Sequence, residues 1–565
     1  MIALFAVTDA GRRAADEVAV AVDGQVCSLD ELPRLWSGLD GAVFFLAAGA
    51  TVRLIAPLLA DKRTDPGVVC VDEARRYAIA LAGGHGGGAN QLATRVAAAV
   101  GAEPVITTAS DATGTTGLDE LVAVLDAHVD GDLAAAGTAL LDGAALVENP
   151  LGFPLPPLPP ASGPARHTIV VTDRAGAAGP STTRLVPPTL VVGVGSARGV
   201  PADAVRATLR RLETEHGLDP RAVRAYASVD LKADEAGIVA AVAPSRLLTY
   251  PAAVLGAVEV PNPSDVVMAE VGTPSVAEAA ALHAARELAG GAPVELVVEK
   301  TKDAMVTVAA ARIRPRGRLA IVGLGPGAAD LRVPRADAEL RRASMVVGLD
   351  QYVDQVAHLL RPGTQVHSSG LGDEERRAAD AVALAAKGHA VVLIGSGDAG
   401  VYAMASPALQ QAGSDIEVVG VPGVTAALAA AALLGAPLGH DHMLISLSDL
   451  HTPWDVIERR IAAAASADVV ACFYNPRSRD RHWQLGAALD VLRAHRPPST
   501  PVGAVRQAGR PGQRVWTAPL AEFDPTEVDM LTTVVVGSST TRITAGRMVT
   551  PRGYRWSVED DVVAH

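Results

Sequence analysis

The chain has 565 residues, enough for several domains, and its 49% apolar content is enough to build more than one packed core. Acidic residues outnumber basic ones by 62 to 49, and the net charge of -13 argues against a general affinity for nucleic acid or anionic membranes. The cysteines, Cys27, Cys70 and Cys472, are far apart in the sequence. This spacing argues against a disulfide framework or a thiolate site, and we predict no metal centre.

The N-terminus, M-I-A-L-F-A-V-T-D, lacks a basic leader and reaches Asp9 too early for a signal peptide. We therefore expect a first β-strand here and a cytoplasmic protein. The uncharged stretch 418–439 is about long enough to span a membrane, but prolines and glycines interrupt it. A buried helix over about 425–434 is the better interpretation.

Three changes of composition divide the chain, at 149–164, 180–188 and 313–318. The prolines of the first predict an extended connector. Between the breaks, apolar segments at 42–46, 189–194, 319–322 and 469–473 alternate with alanine-rich helical patterns. This alternation predicts α/β domains with mainly parallel sheets. We place the domains at 1–130, 131–188, 189–313 and 316–565.

In the N-terminal half, the segment 81–92 reads L-A-G-G-H-G-G-G-A-N-Q-L, with His85 among five glycines. Nothing bulky surrounds His85, which favours a functional side chain, although a tight crossover would also explain the glycines. Further on, P-V-I-T-T-A-S-D places Thr107, Thr108, Ser110 and Asp111 after a predicted strand. These side chains suit hydrogen bonds to carboxylates or hydroxyls.

Both segments, with A-P-L-L-A-D-K-R-T-D-P before them, resemble the N-terminal part of the cobalamin-synthesis CbiG family. G-V-G-S-A-R-G at 193–199, S-V-D-L-K-A-D at 228–234 and T-P-S-V-A-E-A-A-A-L at 273–282 are similar to its C-terminal domain. The resemblance implies opening of a lactone on cobalt-precorrin-5A and release of acetaldehyde. A non-catalytic module that binds the tetrapyrrole is the alternative.

For that reaction His85 is the first candidate for the base, and Lys232, Glu278 and Lys300 are weaker ones. The sequence departs from the family at one place: Ser196 and Ala197 stand where the family often has Cys and Arg. Any role of that cysteine is therefore absent here.

Three glycine-rich turns follow predicted strands in the C-terminal half: G-L-G-P-G at 323–327, G-S-G-D-A-G-V-Y at 395–402 and G-V-P-G-V-T-A at 420–426. The first differs from a dinucleotide fingerprint, because its helix is predicted to begin only near Pro334. Asp398 could cap a helix or bind a ligand, and so could Thr425. None of the turns has the Lys-Ser/Thr of a phosphate loop, which suits a nucleoside without a polyphosphate.

The three turns, in this order and spacing, resemble the S-adenosylmethionine (SAM) sites of the tetrapyrrole methylase family. Within it, residues 440–479 and T-P-R-G-Y at 550–554 are similar to precorrin-3B C-17 methyltransferases. The resemblance implies a two-domain fold with SAM between the domains, methylation at C-17 coupled to ring contraction, and a homodimer formed through this half. The implied SAM contacts are Pro326, Gly397, Asp398, Ala399, Tyr402, Thr425, Ala426 and Tyr474.

A methyltransferase of this kind needs one proton acceptor or donor near the reacting carbon. The first candidates are Asp449 and His451, and His440 and His442 are further candidates. For each of them a structural role is an equal alternative. Forked guanidinium groups suit a substrate with many carboxylates, although solvated surface arginines are the alternative. The arginines concerned are Arg477, Arg479, Arg506 and Arg510. We interpret the whole chain as a CbiG-like protein fused to a C-17 methyltransferase.

Overall fold

The structure is a computed structural model, and it describes residues 1–61, 64–84, 87–108, 110, 113–478 and 481–554. The chain divides into two compact units between Arg316 and Gly317, with Arg361–Thr364 grouped with the first unit. Within the described ranges, no helix has the length and apolar character needed to cross a bilayer.

The first unit opens with a six-stranded sheet in the order β2-β1-β3-β4-β5-β6, parallel except where β4 meets β5. Its strands are β1 (Ile2–Ala6), β2 (Gly24–Cys27), β3 (Gly41–Phe45), β4 (Gly67–Val71), β5 (Tyr77–Ala82) and β6 (Glu103–Val105). Its helices are α1 (Asp9–Val22), α2 (Leu32–Leu35), α3 (Ala48–Ile55) and α4 (Ala89–Val100). Helices α1 and α4 bury one face of the sheet and α2 and α3 the other, so β3 is buried along its length, as its apolar sequence predicts.

A smaller sheet follows, in the order β7-β10-β9-β8. Its elements are β7 (His128–Asp130), β8 (Ala145–Glu148), β9 (His167–Val171), β10 (Thr182–Val186), α5 (Leu118–Leu125) and α6 (Leu133–Leu141). The proline-rich connector 149–164 has no regular structure and packs Leu155 and Leu158 against this core, which agrees with its prediction. The break at 180–188 instead contains β10, whose sequence T-T-R-L-V is rich in β-branched residues that favour a strand.

The third sheet has the order β13-β12-β11-β15-β14, with three parallel strands and an antiparallel hairpin. Its strands are β11 (Leu190–Ser196), β12 (Val223–Val229), β13 (Leu247–Tyr250), β14 (Val294–Lys302) and β15 (Val306–Ile313). Its helices are α7 (Ala202–Thr214), α8 (Ala236–Val242), α9 (Ala252–Gly256), α10 (Asp265–Val271) and α11 (Val276–Leu288). Helix α11 packs so closely on β11 that an added Cβ on Gly193 would lie 1.8 Å from the Ala277 carbonyl oxygen.

Buried ion pairs join the second and third sheets. The Arg184 guanidinium lies 3.0 Å from carboxylate oxygens of Asp130 and Asp219. Arg312 donates from Nη2 to Asp173, at 3.0 Å. Because Asp173 and Asp219 are almost completely buried, these pairs fix how the two sheets pack.

The second unit begins with a five-stranded, fully parallel sheet in the order β18-β17-β19-β16-β20. Its strands are β16 (Gly317–Gly323), β17 (Met345–Leu349), β18 (Gln365–Ser369), β19 (Ala390–Gly395) and β20 (Ile416–Val421). Its helices are α12 (Pro334–Arg342), α13 (Asp350–Val356), α14 (Glu374–Ala386) and α15 (Ala405–Gln411). Helix α12 begins at Pro334, as predicted, so a loop separates it from the first glycine turn.

A second five-stranded sheet has the order β22-β23-β26-β24-β25, beside a three-stranded sheet β21-β28-β27. The strands are β21 (Gly435–Ala436), β22 (His442–Ser446), β23 (Val470–Tyr474), β24 (Pro501–Arg506), β25 (Arg514–Pro519), β26 (Thr532–Val536), β27 (Arg542–Thr544) and β28 (Arg547–Val549). The helices are α16 (Ala426–Leu434), α17 (Trp454–Ser466) and α18 (Gln484–Arg493). The buried helix predicted for about 425–434 is α16. The prediction of mainly parallel sheets is wrong for the five-stranded sheet, since among its strands only β22 and β23 run parallel.

Candidate functional site

The three glycine turns end the adjacent strands β19, β16 and β20, so all three lie at one edge of the parallel sheet. The first and second turns exchange a pair of backbone hydrogen bonds: Gly325 N donates to Gly397 O at 3.0 Å, and Gly397 N donates to Gly325 O at 2.8 Å. This edge is where open α/β sheets bind small molecules.

Asp398 joins the second turn to the third. One oxygen of its carboxylate accepts from Gly400 N at 2.8 Å, and the other accepts from Gly423 N at 3.0 Å. It does not cap a helix, because α15 begins only at Ala405. The side chain therefore fixes the relative position of two turns and keeps lone pairs that a ligand hydroxyl can use.

The turns pack backbone against backbone. A Cβ added to Gly423 would lie 2.1 Å from Gly397 O, so no larger residue fits there without moving the turn. Gly397 itself has a φ of +66°, which favours glycine. Ala399 is buried in the core, so only its backbone can face a ligand. The turns thus present mainly peptide groups.

Tyr474, at the end of β23, connects the second sheet to the third glycine turn. Its hydroxyl lies 2.6 Å from Thr425 Oγ1 and accepts from Ala427 N at 3.0 Å. Thr425 is the N-cap residue of α16, but its side chain makes no capping bond, so the tyrosine hydroxyl performs that role beside Ala426. Burial raises the pKa of Tyr474, which keeps the hydroxyl protonated and able to donate to Thr425.

Three residues other than glycine adopt left-handed backbone conformations around this site. They are Tyr402 (φ 51°), Asn475 (φ 49°) and Gln507 (φ 50°). The Tyr402 hydroxyl donates to Leu444 O at 2.8 Å, and its ring centroid is 5.2 Å from that of Tyr474. Left-handed residues of this kind cost about 1 kcal/mol or more each and cluster at functional sites.

Arg510 also contacts the glycine turns. Its Nε donates to Pro326 O at 2.6 Å, and Nη2 donates to Ser396 Oγ at 2.8 Å. Arg510 was predicted as a substrate contact, and its guanidinium instead supports the first and second turns. Ser396 carried no separate signal in the sequence.

The other predicted arginines differ in their surroundings. Arg506 forms an ion pair with Asp529, with 2.7 Å between Nε and the carboxylate oxygen. Arg477 donates to the Pro525 carbonyl at 3.3 Å. Arg479 lies outside the described residues. The structure adds Arg481, a buried arginine in the same N-P-R-S-R-D-R run, which a full scan of that run for guanidinium groups would have found.

Of the predicted catalytic residues, Asp449 has a defined partner. Its carboxylate accepts from Gln484 Nε2 at 2.9 Å, and Gln484 is buried at the start of α18. His451 is exposed nearby in sequence and makes no side-chain hydrogen bond within the described chain. His442 begins β22, roughly 13 Å from the strand's carboxyl end, and His440 precedes it in the chain, so neither residue stands at that end.

In the first unit, His85 and Asp111 lie outside the described residues. Asn90 Nδ2 donates to Thr108 Oγ1 at 3.1 Å, beside the segment that contains His85. Fully buried Glu278 accepts from Asn262 Nδ2 at 2.8 Å and from Lys300 N at 2.9 Å. Lys232 forms an ion pair with Glu235 at 3.1 Å. The weaker catalytic candidates of this unit therefore have structural partners.

Comparison with known families and proteins agrees with this site. The model for Tetrapyrrole (Corrin/Porphyrin) Methylases matches residues 318–524. Models for the Cobalamin synthesis G N-terminal and C-terminus regions match 30–111 and 190–311. These matches follow the division between the two units.

Individual relatives match the same class of protein. The probable cobalt-factor III C(17)-methyltransferase of Salmonella typhimurium is 47% identical over 242 residues, which are 42% of this chain and 99% of the relative. The precorrin-3B C(17)-methyltransferase of a Sinorhizobium species is 43% identical over 233 residues, 40% of this chain and 91% of the relative. The crystal structure of the methyltransferase CobJ is 38% identical and covers 42% of this chain and 100% of its own, with a TM-score of 0.40.

The parallel sheet and its three joined turns, together with the methylase model and the two relatives, define an α/β methyltransferase. More narrowly, the chain belongs to the tetrapyrrole (corrin/porphyrin) methylase family, and the preceding residues include two segments that match the cobalamin synthesis G models. The predicted α/β fold class and the predicted fusion are confirmed.

Proposed function

We propose that the second unit transfers the methyl group of SAM to C-17 of a precorrin-3B-type tetrapyrrole, with contraction of the ring, during cobalamin synthesis. The observation that carries this proposal is the 47% identity to a C(17)-methyltransferase over 99% of that relative's length. The joined glycine turns supply the matching site.

The chemistry of the turns suits SAM. Peptide groups of three turns and the Asp398 carboxylate can bind an adenine and ribose hydroxyls, and the turns have no lysine of the kind that binds a polyphosphate. The residues we assign to SAM are Pro326, Gly397, Asp398, Ala399, Tyr402, Thr425, Ala426 and Tyr474. Bound SAM supplies an activated methyl group together with its own leaving group.

The chain's own residues position the reaction. Tyr474 and Thr425 hold the start of α16 against the turns, and Arg510 supports the first two turns. Asp449, oriented by buried Gln484, is the carboxylate we assign as the proton acceptor. It lies just beyond β22, whose carboxyl end is paired with that of β23, which carries Tyr474.

Methyl transfer by the full chain is the direct test. The protein is incubated with methyl-labelled SAM and either precorrin-3B or its cobalt-containing counterpart, and the products are analysed by mass spectrometry. We expect the accepted tetrapyrrole to gain one labelled methyl group. Folded, SAM-binding protein that leaves both tetrapyrroles unmodified would contradict the proposal.

For the first unit, we propose lactone opening on a cobalt-precorrin-5A-type substrate with release of acetaldehyde, and we assign His85 as the base. Glu278 and Lys232 already have hydrogen-bond or ion-pair partners within the unit. This favours a second candidate function, a module that binds the tetrapyrrole without catalysing a reaction. The His85→Ala and exposed control His128→Ala variants separate the two. If only His85→Ala stops releasing acetaldehyde, the result supports catalysis. If the unmodified protein binds the tetrapyrrole but releases no acetaldehyde, the result supports the binding module.

We also infer a homodimer that forms through the second unit, as the family resemblance implies. The full chain and its second unit are compared by sedimentation at several concentrations. A dimer of the full chain that persists on dilution is the expected result, and a monomer at all concentrations would contradict it.

A further inference from the structure

Arg481 is a buried arginine that has no carboxylate partner among the residues the structure describes. The residue is 8% exposed, and no acidic side chain in the described ranges lies within ion-pair distance of it. Its Nε donates to Asn475 O at 3.0 Å, Nη1 donates to Ser448 Oγ at 3.3 Å, and Nη2 contacts Met530 Sδ at 3.6 Å. Within the described part of the chain, three of its five N–H groups are thus used, and one on each terminal nitrogen has no acceptor there.

Several other arginines that are buried or nearly buried are neutralised, but within the described residues Arg377 is not: it donates to Ser369 Oγ and Gly370 O and contacts Met404 Sδ. Arg318 pairs with Glu339, Arg184 with Asp130 and Asp219, and Arg312 with Asp173. Arg496 forms a long ion pair with Asp468, at 3.9 Å, and also donates to several backbone carbonyls. Burial lowers the pKa of Arg481, and only the more distant Asp449 carboxylate opposes this change. A guanidinium in such surroundings gains most from an additional anion.

Arg481 lies beside the residues assigned to SAM. Its acceptor Asn475 directly follows Tyr474, and Asn475 Nδ2 donates to Ser446 Oγ at 3.1 Å. Ser446 and Tyr474 are paired at the carboxyl ends of β22 and β23. The guanidinium is therefore fixed to the strand ends that also carry the tyrosine contacting the third glycine turn.

One exposed apolar side chain contacts this arginine, and others lie close to it or to Asp449 in the sequence. Met530, in contact with Arg481, is 45% exposed, and Trp483, two residues further on, is 46% exposed. Leu450, which follows Asp449, is also exposed. An apolar surface next to an unneutralised guanidinium matches a flat macrocycle that bears carboxylate side chains.

We propose that Arg481 binds a peripheral carboxylate of the tetrapyrrole through its two terminal nitrogens, while Trp483 and Met530 contact the macrocycle. This inference rests on the proposed methyl transfer. It assigns a substrate contact to the segment after the F-Y-N-P-R-S-R run, and it names a carboxylate as the substrate group that this segment binds.

The first test is Arg481→Met in the full chain. We expect the KM for the tetrapyrrole to rise roughly ten- to hundredfold, because a charged hydrogen-bonded pair is lost, while the Kd for SAM stays unchanged. Arg481→Lys should recover part of the loss. The matched control is Arg459→Met on exposed α17, where Arg459 pairs with Asp455, and we expect no change in either constant.

A second measurement separates carboxylate binding from support of the loop. Tetrapyrroles with single carboxylates converted to amides are compared with the unmodified substrate. One such amide should raise the KM of the wild type but not that of Arg481→Met. Equal losses for both proteins with every amide, or an unchanged KM in Arg481→Met, would overturn the inference.

Two further outcomes are informative. If Arg481→Met does not fold, as judged by loss of SAM binding, Arg481→Lys takes its place in the amide series with the same expectations. If the wild type methylates no tetrapyrrole, the proposed function fails. The Arg481 assignment is then overturned as well if none of the amides weakens binding of the tetrapyrrole to the wild type.

Discussion

Glycines within or just after strands have different roles in the two units. In the first unit, Gly193 of β11 lets α11 approach, and an added Cβ would lie 1.8 Å from the Ala277 carbonyl oxygen. In the second unit, Gly423 lets one turn approach another, with an added Cβ 2.1 Å from Gly397 O. Similar glycine-rich sequences therefore serve helix packing in one unit and a candidate ligand site in the other.

The largest expected effect is on the first unit. Gly193→Ala forces a methyl group into the backbone of α11, and we expect the free energy of unfolding to fall by at least ~3 kcal/mol, the upper end of overpacking costs. SAM binding should not change. Chemical denaturation with calorimetric SAM titration measures both quantities. Gly38→Ala, with open space at its Cβ, is the control. Loss of SAM affinity in Gly193→Ala would remove the distinction between the two roles.

Gly423→Ala should produce the opposite pattern. It pushes the third turn away from the second, and we expect SAM binding to weaken by about a hundredfold, equivalent to ~2.7 kcal/mol. The control Gly420→Ala lies in the same turn with nothing near its Cβ, and it should bind SAM normally. Calorimetry provides the Kd values, and equal affinities for the two variants would show that the turns do not hold SAM.

Tyr474→Phe should have a smaller effect on the same site. It leaves Thr425 Oγ1 and Ala427 N without their shared partner, and we expect SAM binding to weaken about tenfold. Tyr352→Phe is a control, because the Tyr352 hydroxyl makes no hydrogen bond among the described residues. Unchanged affinity in Tyr474→Phe would exclude this hydroxyl from organising the site.

The smallest expected effect is on how the stability of the first unit depends on acidic pH. Burial raises the pKa of Asp219, but hydrogen bonds from Arg221 and Arg184 outweigh it, so the pKa is lowered overall. The stability that ionised Asp219 contributes is fully present at a pH above the ordinary aspartate pKa of ~3.9. It is lost as the pH falls through the lowered pKa of the folded protein. We expect the stability of Asp219→Asn to depend less on pH below about 4 than that of the wild type or of exposed Asp203→Asn. Parallel acid-unfolding curves for Asp219→Asn and the wild type would contradict this role.

Periodicity and turn chemistry predicted much of the second unit. The strands that end in glycine turns, the start of α12 at Pro334 and helix α16 all follow from apolar runs bounded by glycine and proline. The sequence could not show that Asp398 joins two turns, or that Tyr474 replaces Thr425 as the cap of α16. Each depends on a contact between residues 25 or more positions apart.

The other features that the sequence did not show have similar causes. Prolines at 180–188 indicated a break, but the residues between them pair with two other strands and form β10. His440 and His442 are close in sequence to Asp449, yet the extended β22 separates them from it. Arg481 gave the same local signal as its neighbouring arginines, and only its burial without a carboxylate distinguishes it.

The position of the transferred methyl group tests the central claim most directly. The full chain is given SAM with a carbon-13 methyl group and the tetrapyrrole it accepts, and carbon NMR locates the label in the product. The account predicts a single labelled methyl group on C-17 of a contracted ring. A label on another carbon, or none in protein that binds SAM, would contradict it.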